Sequence, residues 1–393
     1  MANVSSSNGL EKCPKLRFPG FDEPWSVYKA EELFKNVADK NHPTETVLTI
    51  IQGKGTLPRE QAGRNIHYDD ASLANYKKVE QGDFIIHLRS FEGGLEMANE
   101  DGIVSPAYTI LRCKKPHSSL FYEAYFHTDE FINHILSKSV EGIRDGRQIS
   151  YEAFKWLGLP YCDVSEQEKI AQLFCTLDHR IEKQQQMVDA LKKYKRGVVA
   201  AILSHYLTFS DATGSPYPEW TSCTLQDAVD FLDGQRKPLE SADRAKRQGQ
   251  YPYYGASGII DYIDDFIFDE PLLLLGEDGA NILNRSTPLC FIAEGKYWVN
   301  NHAHVMRPKA GQNTKFLCEL LESLDYTRYN TGTAQPKLNQ EKCRRIELAL
   351  PVYEEQCRIA NFLSALDQRA DKAQSVLDYL LSNRAGLLQQ LFI

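Results

Sequence analysis

One stretch of the chain occurs twice, about half a chain length apart. EQEKIAQLFCTLDHRI occupies Glu166–Ile181 and EQCRIANFLSALDQRA occupies Glu355–Ala370, and seven of the sixteen aligned positions are identical. Internal repetition constrains a fold strongly, because each copy needs an equivalent packing environment. We therefore expect an internally repeated architecture.

Both copies lie within longer apolar stripes with a 4-3 spacing. The residues of the first stripe are Ile170, Phe174, Leu177, Ile181, Val188, Leu191, Val198 and Ile202, and those of the second are Ile359, Leu363, Leu366, Ala370, Leu377, Leu380, Leu387 and Leu391. A 3.5-residue period over about five heptads predicts coiled-coil helices, each about 55–60 Å long. Two separate surface helices, each packed on its own domain, are the alternative. The matched stripes favour helices that pack on each other.

The regions between the helices contain strand-like segments. Runs such as FIIHL (84–88) and AYTIL (107–111) are apolar or β-branched and are bounded by Gly or Pro, which predicts strands. We expect an α+β chain in which a globular domain and a long helix each occur twice. The predicted boundaries are a disordered N-terminal tail at 1–13, a first domain at 14–160, a first helix at 161–206, a second domain at 207–351 and a second helix at 352–393.

Composition limits the compartment and the partners. Hydrophobic residues make up 42% of the chain and charged residues 25%, as in ordinary folded proteins. Nine scattered cysteines without a C-x-x-C pair argue against a disulfide framework or structural zinc, and there is neither a signal-like apolar segment nor a bilayer-length run. We expect a cytoplasmic protein. The net charge of −8 is unlike that of a free-standing nucleic-acid binder, so any contact with DNA must use locally basic faces.

Several motifs identify a known family. The duplicated run contains Leu159, Pro160, Glu166, Gln167, Ile170, Ala171, Leu177 and Asp178, and then Leu350, Pro351, Glu355, Gln356, Ile359, Ala360, Leu366 and Asp367. The second domain adds YPYYGASGIIDYIDDFIF, GEDGANIL, WVNNHAHV and TGTAQPKLNQ. With these motifs the chain resembles the specificity subunit of type I restriction–modification systems over nearly its whole length.

This resemblance implies a fold and a set of partners. The fold would contain two target-recognition domains, each a mixed β-sheet with helices, alternating with two long helices that pair as an antiparallel coiled coil in a pseudo-two-fold repeat. Each domain would recognise one half of a bipartite asymmetric site in double-stranded DNA, and the helices would set the spacing. The chain would bind two methyltransferase subunits that methylate adenine N6 and two restriction (motor-nuclease) subunits. No cofactor is expected in this chain, because S-adenosylmethionine, ATP and Mg belong to the partner subunits.

Catalytic motifs are missing from the sequence. It contains no Asp/Asn-Pro-Pro-aromatic tetrapeptide, no P-loop, no G-x-G-x-x-G and no H-E-x-x-H. His302 and His304 could suggest a metal pair, but no third ligand lies nearby in the sequence, and packing or hydrogen bonding is the preferred interpretation. We therefore expect neither a catalytic residue nor a metal site. A stand-alone nuclease and a two-headed coiled-coil adaptor that does not bind DNA remain alternative functions.

Candidate DNA contacts follow from residue type and loop position. Arg and Lys recognise guanine or phosphate, Asn and Gln recognise adenine, and loops next to regular elements present such side chains. The first-domain candidates are Lys54, Arg59, Arg64, Arg89, Arg144, Arg147 and Gln148. The second-domain candidates are Arg236, Lys237, Tyr254, Ser257, Asn301, His302, Gln335 and Lys337. A solvated surface charge is the alternative for each basic residue, and turn stabilisation is the alternative for Asn301.

Overall fold

A computed structural model of the chain describes residues 14–62, 70–142, 147–332 and 335–392. The chain forms two compact units, the first comprising residues 1–186 and 375–393 and the second residues 187–374. Each unit therefore combines one globular region with part of each long helix. The predicted N-terminal tail lies outside the described residues. Within the described ranges, no helix is long and apolar enough to cross a membrane.

The first unit begins with a strand, a one-turn helix and a second strand. Its strands are β1 Ser26–Lys29, β2 Phe34–Val37, β3 Leu48–Ile51, β4 Gly55–Pro58, β5 Lys77–Val79, β6 Phe84–Ile86, β7 Glu96–Met97, β8 Gly102–Val104, β9 Thr109–Cys113, β10 Val140–Glu141, β11 Gln148–Ile149 and β12 Gly158–Tyr161. Its helices are α1 Ala30–Leu33, α2 Ser90–Gly93, α3 Ser119–Phe126, α4 Tyr151–Phe154 and the first part of α5 Val164–Leu203.

The second unit begins with the same strand–helix–strand order. Its strands are β13 Thr221–Thr224, β14 Val229–Phe231, β15 Gln248–Gly255, β16 Gly258–Ile263, β17 Phe268–Asp269, β18 Leu272–Gly276, β19 Cys290–Ala293, β20 Lys296–Val299, β21 Ala303–Pro308 and β22 Glu347–Leu350. Its helices are α6 Leu225–Ala228, α7 Ser241–Lys246, α8 Asn281–Asn284, α9 Thr314–Ser323, α10 Gln340–Arg344 and the first part of α11 Tyr353–Leu391.

In each unit the first strand is tied to the strand that precedes the long helix. Strand β1 pairs antiparallel with β12, and β13 pairs in the same way with β22. The larger sheets of the described residues have the orders β2-β9-β6-β7 in the first unit, and β14-β21-β18-β19 and β16-β15-β20-β17 in the second. Strand β18, with the sequence LLLLG, is fully buried because its side chains alternate between two apolar clusters, Leu273 and Leu275 in one and Leu272 and Leu274 in the other.

The core of the first unit is aromatic. Phe84 and Phe126 are both fully buried, and their rings meet edge to face at 4.9 Å. Trp25 packs on Phe121 at 5.6 Å, and the second unit repeats this contact between Trp220 and Phe316 at 5.8 Å. Such ring pairs add specific geometry to the burial of apolar area.

The long helices run antiparallel within each unit. In the first unit, Phe174 near the start of α5 stacks on Phe392, which directly follows α11, at 6.0 Å. In the second unit, Lys195 near the end of α5 pairs with Asp367 in the first half of α11 at 2.6 Å. The residues proposed for helix pairing are buried or half-buried: Ile170, Phe174, Leu177, Ile181, Val188, Leu191, Val198, Ile359, Leu363, Leu366, Leu377, Leu380 and Leu387. The predicted α+β fold with paired long helices is confirmed.

A glutamine fixes the start of each long helix. Gln167 accepts a hydrogen bond from the Ser118 backbone N–H at 3.0 Å and donates one to the Cys162 carbonyl at 2.9 Å. Gln356 likewise accepts from the Asn313 N–H at 2.9 Å and donates to the Pro351 carbonyl at 3.0 Å. We call this arrangement the glutamine clamp. It explains why Gln occurs at this position in both copies of the repeat, since each clamp ties the start of the long helix to the residue before α3 or α9 in the same unit.

Candidate nucleic-acid interface

A buried histidine organises the loops that carry most second-domain candidates. The Nδ1 of His304 lies 2.7 Å from Asp233 Oδ2, and its Nε2 lies 2.8 Å from the Leu338 carbonyl oxygen. Both partner atoms are acceptors, so both ring nitrogens carry protons and the ring is an imidazolium. Burial lowers the pKa of His304, but hydrogen bonding to Asp233 and Cys343, together with the charges of these two groups, outweighs burial and raises the pKa to about 10.

Asp233 connects three segments of the second unit. Besides His304, it accepts hydrogen bonds from the Val305 N–H at 2.9 Å and from Gln340 Nε2 at 2.7 Å. Burial raises the pKa of Asp233, but hydrogen bonding from His304 and Val305 outweighs burial and lowers the pKa below its ordinary value. The carboxylate therefore stays charged inside the domain.

Glu277 joins a further pair of loops to this cluster. Its carboxylate lies 2.8 Å from Arg236 Nη1 and 3.3 Å from Lys337 Nζ. Its backbone N–H donates to the His302 carbonyl at 2.8 Å, and its own carbonyl accepts from the Leu338 N–H at 2.7 Å. We call Asp233, Glu277 and His304 the acidic scaffold.

The acidic scaffold brings several predicted residues to one surface. Asn301, His302, Gln335 and Lys337 are exposed, and all lie on loops that the scaffold joins. His302 is further held by Asp278, whose carboxylate is 2.8 Å from its Nδ1. The four side chains thus combine amide, imidazole and ammonium groups, which are suited to base edges and phosphates.

Arg236 has a different position. Its side chain is 14% exposed. The guanidinium donates to Glu277 at 2.8 Å and to the Ala303 carbonyl at 2.7 Å. With these partners Arg236 supports the loops from inside, so we do not include it among the proposed DNA contacts.

The remaining second-domain candidates lie on or near the β15–β16 hairpin. Ser257 is exposed between the two strands, and Lys237 is exposed while its carbonyl accepts a hydrogen bond from Trp298 Nε1 at 2.6 Å. Tyr254 is half-buried, with its ring stacked on Phe291 at 5.8 Å. Tyr254 therefore packs the sheet, whereas Ser257 and Lys237 remain available to a ligand.

A buried carboxylate also organises the first candidate loop of the first unit. Glu96 is fully buried and accepts hydrogen bonds from the backbone N–H groups of Gly53 at 2.7 Å and Gly55 at 2.9 Å. Burial raises the pKa of Glu96, but hydrogen bonding from His127 and the two amides outweighs burial and lowers it. Both glycines have positive φ, +74° and +76°, so a side chain at either would be strained. Lys54 stands between them and is exposed.

Two other first-domain candidates, Arg89 and Arg147, lie at short helix α2. Arg89 pairs with Glu92 at 2.6 Å, and the Arg147 guanidinium lies 4.3 Å from the centre of the Phe91 ring. Gln148 is exposed on β11, and Arg59 lies 5.9 Å from the centre of the Tyr76 ring. Arg64 and Arg144 lie outside the described residues.

Sequence reasoning missed the groups that hold these loops. Glu96, Asp233 and Glu277 occur in Gly-containing segments that the sequence presents only as turns. Their partners lie far away along the chain, up to 107 residues for the contact between Asp233 and Gln340. An acidic residue beside glycines in a predicted loop is the one available signal. The sequence presents His304 only as half of a possible metal pair, whereas both of its ring nitrogens are engaged by the scaffold and Leu338.

Comparison with known proteins finds similarity to one family. Residues 217–376, which include the acidic scaffold, match the family model of the type I restriction modification DNA specificity domain. A Haemophilus influenzae protein named as a type I restriction enzyme specificity subunit is 33% identical over 149 residues, 38% of this chain and 37% of that protein. The EcoprrI specificity subunit of Escherichia coli is 28% identical over 145 residues, 37% of this chain and 35% of that protein. The resemblance to type I specificity subunits is confirmed.

Solved structures extend the likeness of fold over the chain. The S subunit of a type I restriction–modification system from M. genitalium has a TM-score of 0.60 at 16% identity, covering 97% of this chain and 99% of that one. A chain from a structure of the type I R-M system, determined to explain its complex assembly, has a TM-score of 0.56 at 14% identity, with 96% and 99% covered. At such identities the likeness concerns the fold. The sequence match to each curated relative spans little more than a third of that relative's length.

Proposed function

We propose that this chain is the non-catalytic, sequence-specific DNA-recognition subunit of a type I restriction–modification complex. One observation carries the proposal: the acidic scaffold gathers Asn301, His302, Gln335 and Lys337 on one surface, inside the segment that matches a DNA specificity domain. In this proposal Ser257 and Lys237 extend the surface along the hairpin. In the first unit, Lys54, Arg89, Arg147 and Gln148 form the corresponding surface.

Each recognition domain binds one half of a bipartite asymmetric site. The half-sites differ because the two domains hold their loops with different buried groups, Glu96 in one and Asp233 with His304 in the other. The paired long helices set the distance between the half-sites, since spacing on DNA is fixed by protein geometry. The predicted domain boundaries, 14–160 and 207–351, belong to this proposal.

Partner subunits supply the chemistry. Two methyltransferase subunits bind the repeated parts of the chain and transfer a methyl group from S-adenosylmethionine to adenine N6, and two restriction subunits use ATP and Mg. The duplicated helix starts, with their equivalent glutamine clamps, offer two similar binding environments. Among the described residues, no cluster of His, Cys, Asp and Glu has a geometry that could hold a metal ion.

Co-expression with the methyltransferase subunit tests the proposal. N6-methyladenine would then be mapped across the host DNA, and a single split motif methylated on both strands is the expected result. Exchange of residues 14–158 for the first domain of another family member should change one half-site and leave the other unchanged. A well-folded complex that adds no methylation, or a change in both halves, contradicts the proposal and favours the adaptor or the nuclease.

A further inference from the structure

A group of lysines and aromatic rings lies at the β1–β12 strand pair of the first unit. We call this group the lysine–aromatic strip, and it consists of Tyr28, Lys29, Lys114, Lys115, Lys155, Trp156 and Tyr161. None of these residues belongs to the candidate loops described above.

Aromatic faces hold the ammonium groups of the strip in place. Lys115 Nζ lies 3.5 Å from the centre of the Tyr28 ring and 5.5 Å from that of Tyr161. The two tyrosines themselves meet edge to face at 5.6 Å. A cation over a ring is attracted by the ring quadrupole, so the charge of Lys115 is positioned without a carboxylate.

Trp156 and Lys29 form the second part of the strip, on the other face of the strand pair from Tyr28, because Tyr28 and Lys29 are neighbours in β1. The Trp156 side chain is 59% exposed, which is high for a tryptophan in a folded domain. Lys29 Nζ lies 4.5 Å from the ring centre and Lys155 Nζ lies 5.3 Å from it. The exposed ring therefore serves as a support for two ammonium groups at the surface.

Three of the four ammonium groups of the strip lack a direct ion-pair partner among the described residues. Within the described ranges, the ammonium groups of Lys29, Lys114 and Lys115 make no ion pair within 4.0 Å. Lys114 donates to the Glu31 backbone carbonyl, which leaves its charge in place, and Lys155 alone pairs with a carboxylate, Glu152. The carboxylate of Glu32 also lies beside the strip, because its Oε2 accepts a hydrogen bond from the Lys29 backbone N–H at 2.8 Å.

Among the described residues, the second unit repeats Lys114 but not the aromatic supports of the strip: Lys309 Nζ donates to the Gln226 carbonyl as Lys114 Nζ donates to the Glu31 carbonyl. Strand register places Cys223 and Thr224 where the first unit has Tyr28 and Lys29, and Leu350 where it has Tyr161. Neither TSCT nor ELAL, the sequences of the equivalent strands, contains a lysine or an aromatic residue. Tyr28, Lys29 and Tyr161 are therefore additions to one copy of a repeated element, which points to a role other than holding the fold together, whereas Lys114 is common to both copies.

We propose that the lysine–aromatic strip binds the phosphate backbone of duplex DNA independently of base sequence. This inference rests on the proposed function, and it answers how an acidic chain binds a polyanion. Phosphates are recognised by point charges such as lysine, whereas the cores of protein–protein interfaces are depleted in lysine. The observations therefore favour DNA over an acidic protein partner. Contact with DNA beside the recognised bases would add affinity and leave sequence preference unchanged.

Salt-dependent binding to a duplex of arbitrary sequence tests the inference. The unmodified protein and a K29Q/K114Q/K115Q variant would be compared by anisotropy titration of the full chain. The duplex would have about 40 base pairs, which is long enough for flanking contacts. The slope of log K against log salt is negative, and if three phosphate contacts are lost it should become less steep by about 2.7. The matched control is K183Q/K192Q/K193Q, which removes the same charge from exposed lysines of α5 and should retain the slope.

The remaining outcomes separate the inference from the proposed function. Equal slopes for the strip variant and the control, with full binding by the unmodified chain, overturn the inference alone. No duplex binding by the unmodified chain at low salt overturns both. If the strip variant keeps the salt slope but no longer assembles with a partner subunit, the strip is a protein interface, and this result also overturns the inference. W156A, with every lysine retained and thermal unfolding unchanged, should weaken binding several-fold because two ammonium groups lose their support.

Discussion

The two units of the chain agree where each long helix begins and differ where their loops are held. Gln167 and Gln356 bind equivalent backbone groups at nearly equal distances. By contrast, Glu96 holds two glycine amides in the first unit, while Asp233 holds an imidazolium in the second. The comparison teaches that the repeat preserves the attachment of the helices, whereas the interiors of the two globular regions differ together with their loops.

The attachment itself differs in one charge. In the first unit, Glu166 is bound by Arg17 in a bidentate pair at 2.8 and 2.9 Å and by Trp25 Nε1 at 3.0 Å. In the second unit, Glu355 is buried near Trp220, and its Oε2 has no hydrogen-bond partner. Burial raises the pKa of Glu355, and Trp220 and the charge of His205 offset this only in part.

The missing cation can be assigned to a position. Leu16 N–H donates to the Gln390 carbonyl at 3.0 Å, and Leu207 N–H donates to the Ala201 carbonyl at 2.9 Å. Gln390 and Ala201 are equivalent in the alignment of the repeat, so Thr208 in the second unit is the counterpart of Arg17.

The largest expected effect concerns the imidazolium that only the second unit contains. The folded-state pKa of His304, about 10, lies above the ordinary value of 6.5. The free energy of unfolding that protonated His304 contributes is therefore complete below pH 6.5 and is lost as pH rises from 6.5 to 10. We expect the second unit to lose about 4 kcal/mol over this interval, measured by urea unfolding at several pH values. His304→Gln should flatten this pH dependence of stability. If the variant and the unmodified protein show the same pH dependence, His304 is not an imidazolium in the folded protein.

Removal of Arg17 should have the next largest effect. Arg17→Ala leaves the buried Glu166 carboxylate without its cation, so we expect the first unit to lose about 3 kcal/mol of unfolding free energy. Thr208→Ala at the counterpart position is the matched control and should change stability by less than about 0.5 kcal/mol. Equal effects of the two substitutions in chemical denaturation would refute the comparison.

The ion pairs between the long helices should differ by a smaller amount. Asp178 pairs with Arg384 at a partly exposed site, whereas Asp367 contacts both Lys195 and Lys315, at 2.6 and 2.7 Å. Burial raises the pKa of Asp367, but the two lysines outweigh it and lower the pKa. We expect Asp367→Asn to cost about 1–2 kcal/mol and Asp178→Asn about 0.5 kcal/mol. The same denaturation series checks this order, and the reverse order would contradict it.

Supplying the missing cation should stabilise the second unit. Thr208→Arg places a guanidinium where the first unit has Arg17, so we expect a gain of about 1 kcal/mol at pH 7. The folded-state pKa of Glu355 is raised above the ordinary 4.5. The buried side chain therefore becomes a carboxylate, and destabilises the fold, only as pH rises from 4.5 through the folded-state pKa. The gain should therefore shrink towards pH 4. Combining Thr208→Arg with Glu355→Gln should abolish the gain, and a gain that persists there would assign it to another contact.

The smallest effect concerns a single proposed phosphate contact. Lys337 is half-exposed and already 3.3 Å from Glu277. Lys337→Ala should weaken DNA binding several-fold for all sequences and lower the salt slope by about 0.9. Anisotropy at several salt concentrations measures both quantities. An unchanged salt slope would show that Lys337 does not contact phosphate.

The sequence by itself determined the repeated organisation of this protein. A 3.5-residue apolar period is a local property, so the spacing alone assigns Ile170, Phe174, Ile359 and Leu363 to a buried helix face. The family motifs likewise gave the alternation of domains and helices. Exposed positions in Gly-rich loops, such as Lys54 and Lys337, were also predictable, because glycine and proline mark loops directly.

Only the tertiary structure decided which charged residues are structural. Arg236 and Lys337 look alike in sequence, yet one is enclosed by Glu277 and the Ala303 carbonyl and the other is half-exposed. Lys29 and Lys115 carry no motif, and their ammonium groups lie over aromatic rings only because β1, the segment after β9 and the segment before β12 meet in space. Such contacts depend on groups far apart in the chain, and no periodicity records them, because each is made once.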